Sequence, residues 1–277
     1  MARRLRAEES SCIVTGAGSG IGRALAAEFA ANGARVVVGD IDATAAHETA
    51  ERIRQHGHVA TSVQADASST SDISMLIDLA RNRFGSVDAY VANAGVLGPP
   101  GLGRGDSDWE QALAVNVCAH VRAAALLIPD WLRRGGGYFV SIASAAGLLT
   151  HLGGAAYATT KHAAVGFAEW LAITYGDQGI GVSCVCPMGV DTPLLRTTSQ
   201  SSDPAEQLAA RSILSAAPVM SAEQVAKTTL NACRQGRFMV LPHPQVQERF
   251  RDKSRGHDRW IEAMRRYQTS LKPKTSD

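Results

Sequence analysis

A glycine cluster sits where an apolar strand turns into a helix. Cys12 to Thr15 is a short apolar run and Ile21 to Asn32 reads as a helix stopped by Gly33. Between them lies Thr15-Gly16-Ala17-Gly18-Ser19-Gly20-Ile21-Gly22. Glycines let a chain turn sharply and bring bare backbone close to another group. The free N–H groups and dipole at the start of the helix favour negative charge. Such a unit opens a dinucleotide-type fold with a phosphate site at the end of its first strand. The spacing separates this loop from two others. Position 21, where Gly-x-Gly-x-x-Gly would need glycine, is Ile21, and no Gly-Lys-Ser/Thr follows.

The rest of the chain keeps the rhythm that the loop starts. Strands are expected at Arg35 to Gly39, Val59 to Gln64, Val87 to Val91, Tyr138 to Ile142, Ile180 to Val185 and Phe238 to Leu241. Helices are expected at Thr44 to Gln55, Ser71 to Phe84, Asp108 to Arg133, Ala155 to Tyr175 and Ala222 to Arg234. Pro129 is expected to bend or end the third of these. Seven apolar strands without clean alternation, separated by helices, predict a Rossmann-like, doubly wound, seven-stranded parallel sheet covered on both faces. The expected organisation is a catalytic domain over 1–241 and a charged helical tail over 242–277, part of the same domain or a subunit contact. The tail is read as a helix with a frayed end after Ser270. Met188 to Pro218, rich in Thr, Ser and Pro, reads as a long connection of the lid or disordered kind.

Composition limits the partners. The formal net charge of +2 argues against a nucleic-acid surface, which needs a clustered basic face. The basic residues of the tail, from Arg249 to Arg266, interleave with Glu248, Asp252, Asp258 and Glu262, as on a solvated helix face. No uninterrupted apolar run approaches the ~18 residues of a bilayer span, so no membrane partner is expected. The N-terminal arginines are followed by Glu8 and Glu9 rather than an apolar stretch, unlike a secretory signal. Five cysteines, at 12, 118, 184, 186 and 233, fit no zinc spacing. They read as buried small hydrophobes, with Cys184 and Cys186 pointing the same way, in a reducing cytoplasmic setting. No metal is expected.

Two acidic residues bear on the nucleotide. Asp40 ends the second strand, about twenty positions past the glycines, where a carboxylate can accept from a ribose 2′-hydroxyl and repel a 2′-phosphate. No basic residue lies in 16–22 to offset it, so Asp40 favours NAD over NADP; otherwise it is a solvated turn carboxylate. Asp66, after the third strand, could hold an adenine amino group or cap the next helix.

Tyr157-Ala-Thr-Thr-Lys161 puts a phenol and an ammonium at i and i+4 on one helix face. A nearby ammonium stabilises a phenolate, and a tyrosine lowered in this way can shuttle a proton at neutral pH. Ser144 lies thirteen residues upstream at a strand end, with Ser141 as a rival hydroxyl.

Taken together, these motifs resemble the short-chain dehydrogenase/reductase family of the compact single-domain type, from about Cys12 to Leu241. The match rests on the loop at 15–22, Asn93-Ala94-Gly95, Asn116, Ser144, Tyr157, Lys161, Pro187-Met188-Gly189 and Thr192. It implies an NAD-dependent oxidoreductase acting on a secondary alcohol or ketone. Tyr157 would be the acid/base, Lys161 would hold ribose hydroxyls and lower the Tyr157 pKa, and Ser144 would bond the substrate oxygen. Asn116 would hold a proton-relaying water. The cofactor set would be Gly16, Ser19, Gly20, Ile21, Asp40, Ile41, Asp66, Ala67, Asn93, Gly95, Pro187, Gly189, Val190 and Thr192, besides Tyr157 and Lys161. Departures are Ala92 and Cys186, where members often carry Asn; neither removes a catalytic group.

The expected substrate wall is Val96, Leu97, Ala145, Leu149, Met188, Leu194 and Leu195, which suits a hydrophobic or alicyclic substrate. His151 is expected in the pocket wall and His162 in packing. Trp109, Trp131 and Trp170 are expected in the core or at subunit contacts. The resemblance implies a homotetramer, or a dimer, built through the helices at 108–133 and 155–175. Two other functions fit parts of the pattern. A 3-oxoacyl-thioester reductase usually takes NADPH, which Asp40 disfavours. A non-catalytic NAD-binding regulator would not need the complete Asn116, Ser144, Tyr157 and Lys161 set.

Overall fold

Val36, Val37 and Val38 are fully buried because strand neighbours point to opposite faces and both faces are covered. Val36 and Val38 enter a core with Val14, Leu25, Phe29, Val225 and Leu230. Val37 enters the other core with Ile13, Leu76, Tyr90, Leu127, Trp131, Phe139 and Leu171. The same alternation runs through β1, where Ile13 and Val14 feed opposite cores.

In a computed structural model describing residues 3–272, the strands are β1 (Ser11–Thr15), β2 (Arg35–Asp40), β3 (Ala60–Gln64), β4 (Ala89–Ala92), β5 (Gly137–Ile142), β6 (Ile180–Val185) and β7 (Met239–Val240). All pairs are parallel, in the order β3-β2-β1-β4-β5-β6-β7. The seven-stranded parallel sheet is the expected one. The chain winds outward from β1 in one direction and from β4 in the other. Their junction is a switch point, and a crevice opens there at the carboxyl ends of the strands.

The helices are α1 (Gly20–Ala31), α2 (Ala43–Gln55), α3 (Thr70–Phe84), α4 (Asp106–Leu113), α5 (Ala119–Arg133) and α6 (Ala155–Tyr175), then α7 (Pro193–Gln200), α8 (Pro204–Ala216), α9 (Ala222–Gln235), α10 (Gln245–Arg255) and α11 (His257–Ser270). A π-helical turn, Ala114–Cys118, joins α4 to α5. Helices α1, α2 and α9 cover one core; α3, α5 and α6 cover the other. Trp131 is fully buried and its indole N–H donates to Val87 O at 2.6 Å.

Several expectations need correction. Pro129 neither ends nor breaks α5, which runs on to Arg133. Pro129 and Ala125, whose carbonyl loses its i+4 donor, are both exposed, so water can serve that carbonyl. The 188–218 connection holds two helices, each opened by a capping residue and a proline: Thr192-Pro193 and Asp203-Pro204. The tail is two helices that break at Gly256, and α11 ends at Ser270; residues 273–277, where fraying was expected, lie outside the described residues. Finally, the helical stretch Asp106–Arg133 is long and apolar enough to cross a membrane, by length and composition. Counting only uninterrupted apolar residues missed it. Its apolar side, with Ala123, Leu127, Ile128 and Trp131, is buried against the sheet.

Candidate active site

Every expected site residue lies at a strand's carboxyl end or on the helix that follows it. All but the fully buried Asn116 line one cleft of about 850 Å³. Its nucleotide end begins with the loop after β1. Gly16 and Gly20 adopt φ of 59° and 50°, conformations that other residues rarely take. A Cβ on Gly22 would sit 2.1 Å from Gly16 O, so the loop lies flat against the start of α1. The N-cap, Ser19, makes no side-chain bond to the helix, which leaves the first N–H groups facing the cleft. Asn93 braces the loop from below. Its amide donates to Thr15 O at 2.8 Å and Gly16 O at 3.1 Å.

Asp40 is drawn onto the loop. Its carboxylate accepts from Gly18 N–H at 2.7 Å and from Asp42 N–H at 3.0 Å. Two backbone bonds hold it in one orientation beside Ile41, an isoleucine left 66% exposed at the cleft edge. Arg23, just past the loop, donates to Gly18 O and to Thr49. Asp66 and Ala67 line the same end. Asp66 accepts from Ser68 N–H at 2.8 Å, but the cap of α3 is Ser69, whose hydroxyl takes Asp72 N–H.

The chemical end is built by β5, α6 and the turn between them. Ser144 caps a 3-10 turn, Ala145–Gly147, and its Oγ accepts from Ala146 N–H at 3.1 Å. Gly147 presses against α6: a Cβ there would come 2.4 Å from Lys161 O. This close approach brings Ser144 beside Tyr157 and Lys161. Ser141 turns the other way and bonds buried His120 at 3.1 Å.

Lys161 is 3% exposed, donates to Ile142 O at 3.0 Å and lies 5.7 Å from the centre of the Tyr157 ring. Burial pushes its pKa down to about 8. Tyr157 is half-buried, and burial raises its phenol; the Ser144 hydroxyl pulls it back in part. Lowering of Tyr157 by Lys161 was expected. Here burial outweighs it and the phenol is raised, although the ammonium spends only one of its three N–H donors on Ile142 O and stands over the ring. His151 stands edge-on to Tyr157, ring centres 4.9 Å apart, and burial takes its imidazole down to about 4, so it is neutral.

Asn116 is fully buried in the π turn. Its amide donates to Val96 O at 2.8 Å and Thr160 Oγ1 at 3.0 Å, and its oxygen accepts from Val96 N–H at 2.9 Å. Both N–H bonds are spent on protein. The side chain therefore fixes Val96, a cleft residue.

Pro187, Gly189, Val190 and Thr192 follow β6 and close the cleft opposite Tyr157. Met188, Leu194, Leu195, Val96, Leu97, Ala145 and Leu149 also line it. The sequence reading missed the roof. Trp260, Met264 and Tyr267 of α11, with Arg249 of α10 and Ile213 of α8, also line the cleft. The spacing of 260, 264 and 267 marked one face of a helix. Three tethers hold the roof. Arg249 donates to Ala216 O at 2.6 Å. Tyr267 Oη donates to Ser212 O at 3.1 Å. Lys253 donates to Leu148 O at 2.7 Å and Leu149 O at 3.0 Å. Of the tryptophans, Trp131 is core, Trp109 donates to Leu102 O, and Trp170 is 53% exposed. His162 is exposed and bonds Ala158 O within α6. Among the described residues no cluster of His, Cys, Asp or Glu could hold a metal. Cys184 and Cys186 are buried with Sγ atoms 3.9 Å apart.

Comparison with known proteins agrees with this geometry. The family model for short chain dehydrogenase matches residues 10–203. The chain belongs to the short-chain dehydrogenase/reductase family. It is 35% identical over 247 residues to the 1-deoxy-11-beta-hydroxypentalenate dehydrogenase of Streptomyces exfoliatus, covering 88% of this chain and 86% of that one. Among solved structures it is similar to a short-chain dehydrogenase/reductase from Burkholderia phymatum in complex with NAD. The TM-score is 0.81 at 29% identity, over 89% of this chain and 93% of that one. It is also similar to a 7 alpha-hydroxysteroid dehydrogenase complexed with NADH and 7-oxo glycochenodeoxycholic acid. There the TM-score is 0.77 at 29% identity, over 86% and 94% of the two chains.

Proposed function

We propose that the protein is an NAD-dependent dehydrogenase that interconverts a secondary alcohol and a ketone on a hydrophobic, alicyclic skeleton. One observation carries the reading: Ser144, Tyr157 and Lys161 meet at one end of a continuous cleft whose other end is the glycine loop and Asp40. The loop suits a pyrophosphate, since its glycines turn the chain tightly into α1 and the N-cap Ser19 leaves the first N–H groups of that helix without a side-chain partner. Asp40 suits a ribose diol, and Ile41 a flat ring laid on it. Bound NAD supplies the hydride acceptor.

The protein's own residues handle the proton. Tyr157 takes the hydroxyl proton of the alcohol on oxidation and returns it on reduction. Ser144 donates to the same oxygen, and the carbonyl that forms keeps this bond. Lys161, held by Ile142 O, faces Tyr157 and favours its anionic form once charge develops there. Asn116 keeps Val96 in register with the substrate wall. The polycyclic hydroxy compounds in the names of the relatives support an alicyclic substrate, as do the apolar cleft wall and the Trp260–Met264 roof. An acyl-carrier substrate would favour NADPH, which Asp40 opposes.

The test is a panel of alicyclic secondary alcohols and ketones with NAD and NADP side by side, on wild type and Tyr157→Phe. Wild type should turn over with NAD, and the variant should lose at least about a hundredfold, the usual worth of a positioned acid/base. Full turnover by the variant would sink the proton assignment. NADP preference would overturn the role of Asp40, and nucleotide binding without turnover would favour a regulator.

We further propose a dimer or tetramer built through α5 and α6, since Val121, Trp170 and Ile173 leave these helices apolar on the outside. A cytoplasmic location fits five cysteines that are all free.

A further inference from the structure

His243 belongs to none of the motifs above, yet it is 2% exposed and both its ring nitrogens are engaged. Nδ1 accepts from Met188 N–H at 3.1 Å, and Nε2 faces Gly189 O at 3.2 Å. A nitrogen that accepts from an amide carries no proton, and one that faces a carbonyl must carry one. The two partners therefore fix one neutral tautomer. Burial lowers the pKa of the imidazole, against the pull of the Gly189 and Pro218 carbonyls.

The ring is held in place by its neighbours in sequence. Pro242-His243-Pro244 joins β7 to α10. Each proline fixes its own φ, and Pro244 bars His243 from helical backbone. The His243 carbonyl is tied as well, accepting from Val246 N–H at 3.1 Å. An imidazole on so stiff a support can act as a fixed peg.

What it pegs is the segment after β6. Pro187 O accepts from Ala145 N–H at 2.8 Å, beside Ser144. Gly189 O also accepts from Met220 N–H at 3.1 Å, and Asp191 N–H donates to Met220 O at 2.9 Å. His243 supplies the one bond that Met188 N–H makes. Removing it orphans a half-buried amide and loosens Met188 and Gly189, leaving Met220 as the remaining hold on the stretch that carries Val190 into the cleft.

We propose that His243 is a positioning residue that holds the Pro187–Val190 segment in the shape needed by the nicotinamide end of the cofactor site; this rests on the dinucleotide reading above. It touches neither substrate nor reacting atoms. Its effect is confined to one end of the nucleotide.

The test compares NADH with ADP-ribose, which lacks the nicotinamide, by calorimetry on His243→Phe, His243→Asn and wild type. His243→Phe should weaken NADH about tenfold or more, as for an orphaned buried amide, and leave ADP-ribose within about twofold. Asn can place its oxygen where Nδ1 lies, so His243→Asn should recover most of the NADH affinity. If Phe prevents folding, His243→Gln replaces it. Gln restores only the donor to Gly189 O, so it should bind NADH more weakly than the Asn variant. Equal losses for NADH and ADP-ribose, no loss for either, or Gln binding NADH as well as Asn would each overturn the proposal. Wild type binding neither nucleotide would overturn the cofactor reading itself, a distinct result.

Discussion

Lys161→Met should make the ligand-free protein more stable while abolishing turnover. The wild-type ammonium is 3% exposed, and burial brings its pKa from 10.5 to about 8. At about 1.4 kcal/mol for each tenfold change, holding that charge inside costs about 3 kcal/mol near neutral pH. Methionine has similar length and no charge, so it escapes this cost. It loses the bond to Ile142 O, which is worth about 1 kcal/mol. The net gain near pH 7 is about 2 kcal/mol. The sign with pH follows from linkage. A lysine depressed by folding binds fewer protons when folded, so the wild type gains stability as pH rises from about 8 toward 10.5 and loses it as pH falls. By about pH 9.5 the wild type has regained about 2 kcal/mol, and the two proteins should match. Urea unfolding of both, without nucleotide, near pH 7 and pH 9.5 measures the difference directly. A variant less stable than wild type near pH 7, or a gap that does not change with pH, would refute the idea that Lys161 is held charged against its burial.

Two further predictions concern the cofactor and the assembly. Asp40→Asn keeps the shape but drops the charge and one acceptor for Gly18 or Asp42, so the ratio of kcat/KM for NAD over NADP should fall about tenfold or more; an unchanged ratio would remove Asp40 from selectivity. Ile173→Asp puts a charge on the most exposed large apolar side chain of α6, so the particle mass by light scattering should drop toward one chain; an unchanged mass would place the contact elsewhere.

How much of this was legible in the sequence depended on which forces act locally. Strands such as Val36–Val38 announce themselves because burial on both faces needs an unbroken apolar run. The glycine loop and the Tyr157/Lys161 pair are visible because their chemistry requires fixed spacing along one element. Less came through where the signal was tertiary. Thr192-Pro193 and Asp203-Pro204 are helix-start signals, but the polar residues around them masked α7 and α8. Pro129 looked like a helix breaker because the sequence does not say that Ala125 O faces water. The roof was hidden among charges: Trp260, Met264 and Tyr267 form a stripe only once α11 is known to lie over the cleft. His243 left a single trace, a histidine between two prolines, whose meaning depended on Met188 and Gly189 being opposite it.

The π turn at Ala114–Cys118 has a consequence for the helix that contains it. An α-helix advances about 100° per residue, so one extra residue in a turn shifts everything beyond it around the axis by that amount. Asn116 faces inward at the bulge, while Ala123, Leu127 and Trp131 downstream still meet the sheet. The two halves of Asp106–Arg133 are thus written in different phases. Loss of one residue at 114–118 would let the helix close up regularly, but it would rotate Trp131 off the core or turn Asn116 away from Val96. This stretch should therefore accept substitutions more readily than changes in length.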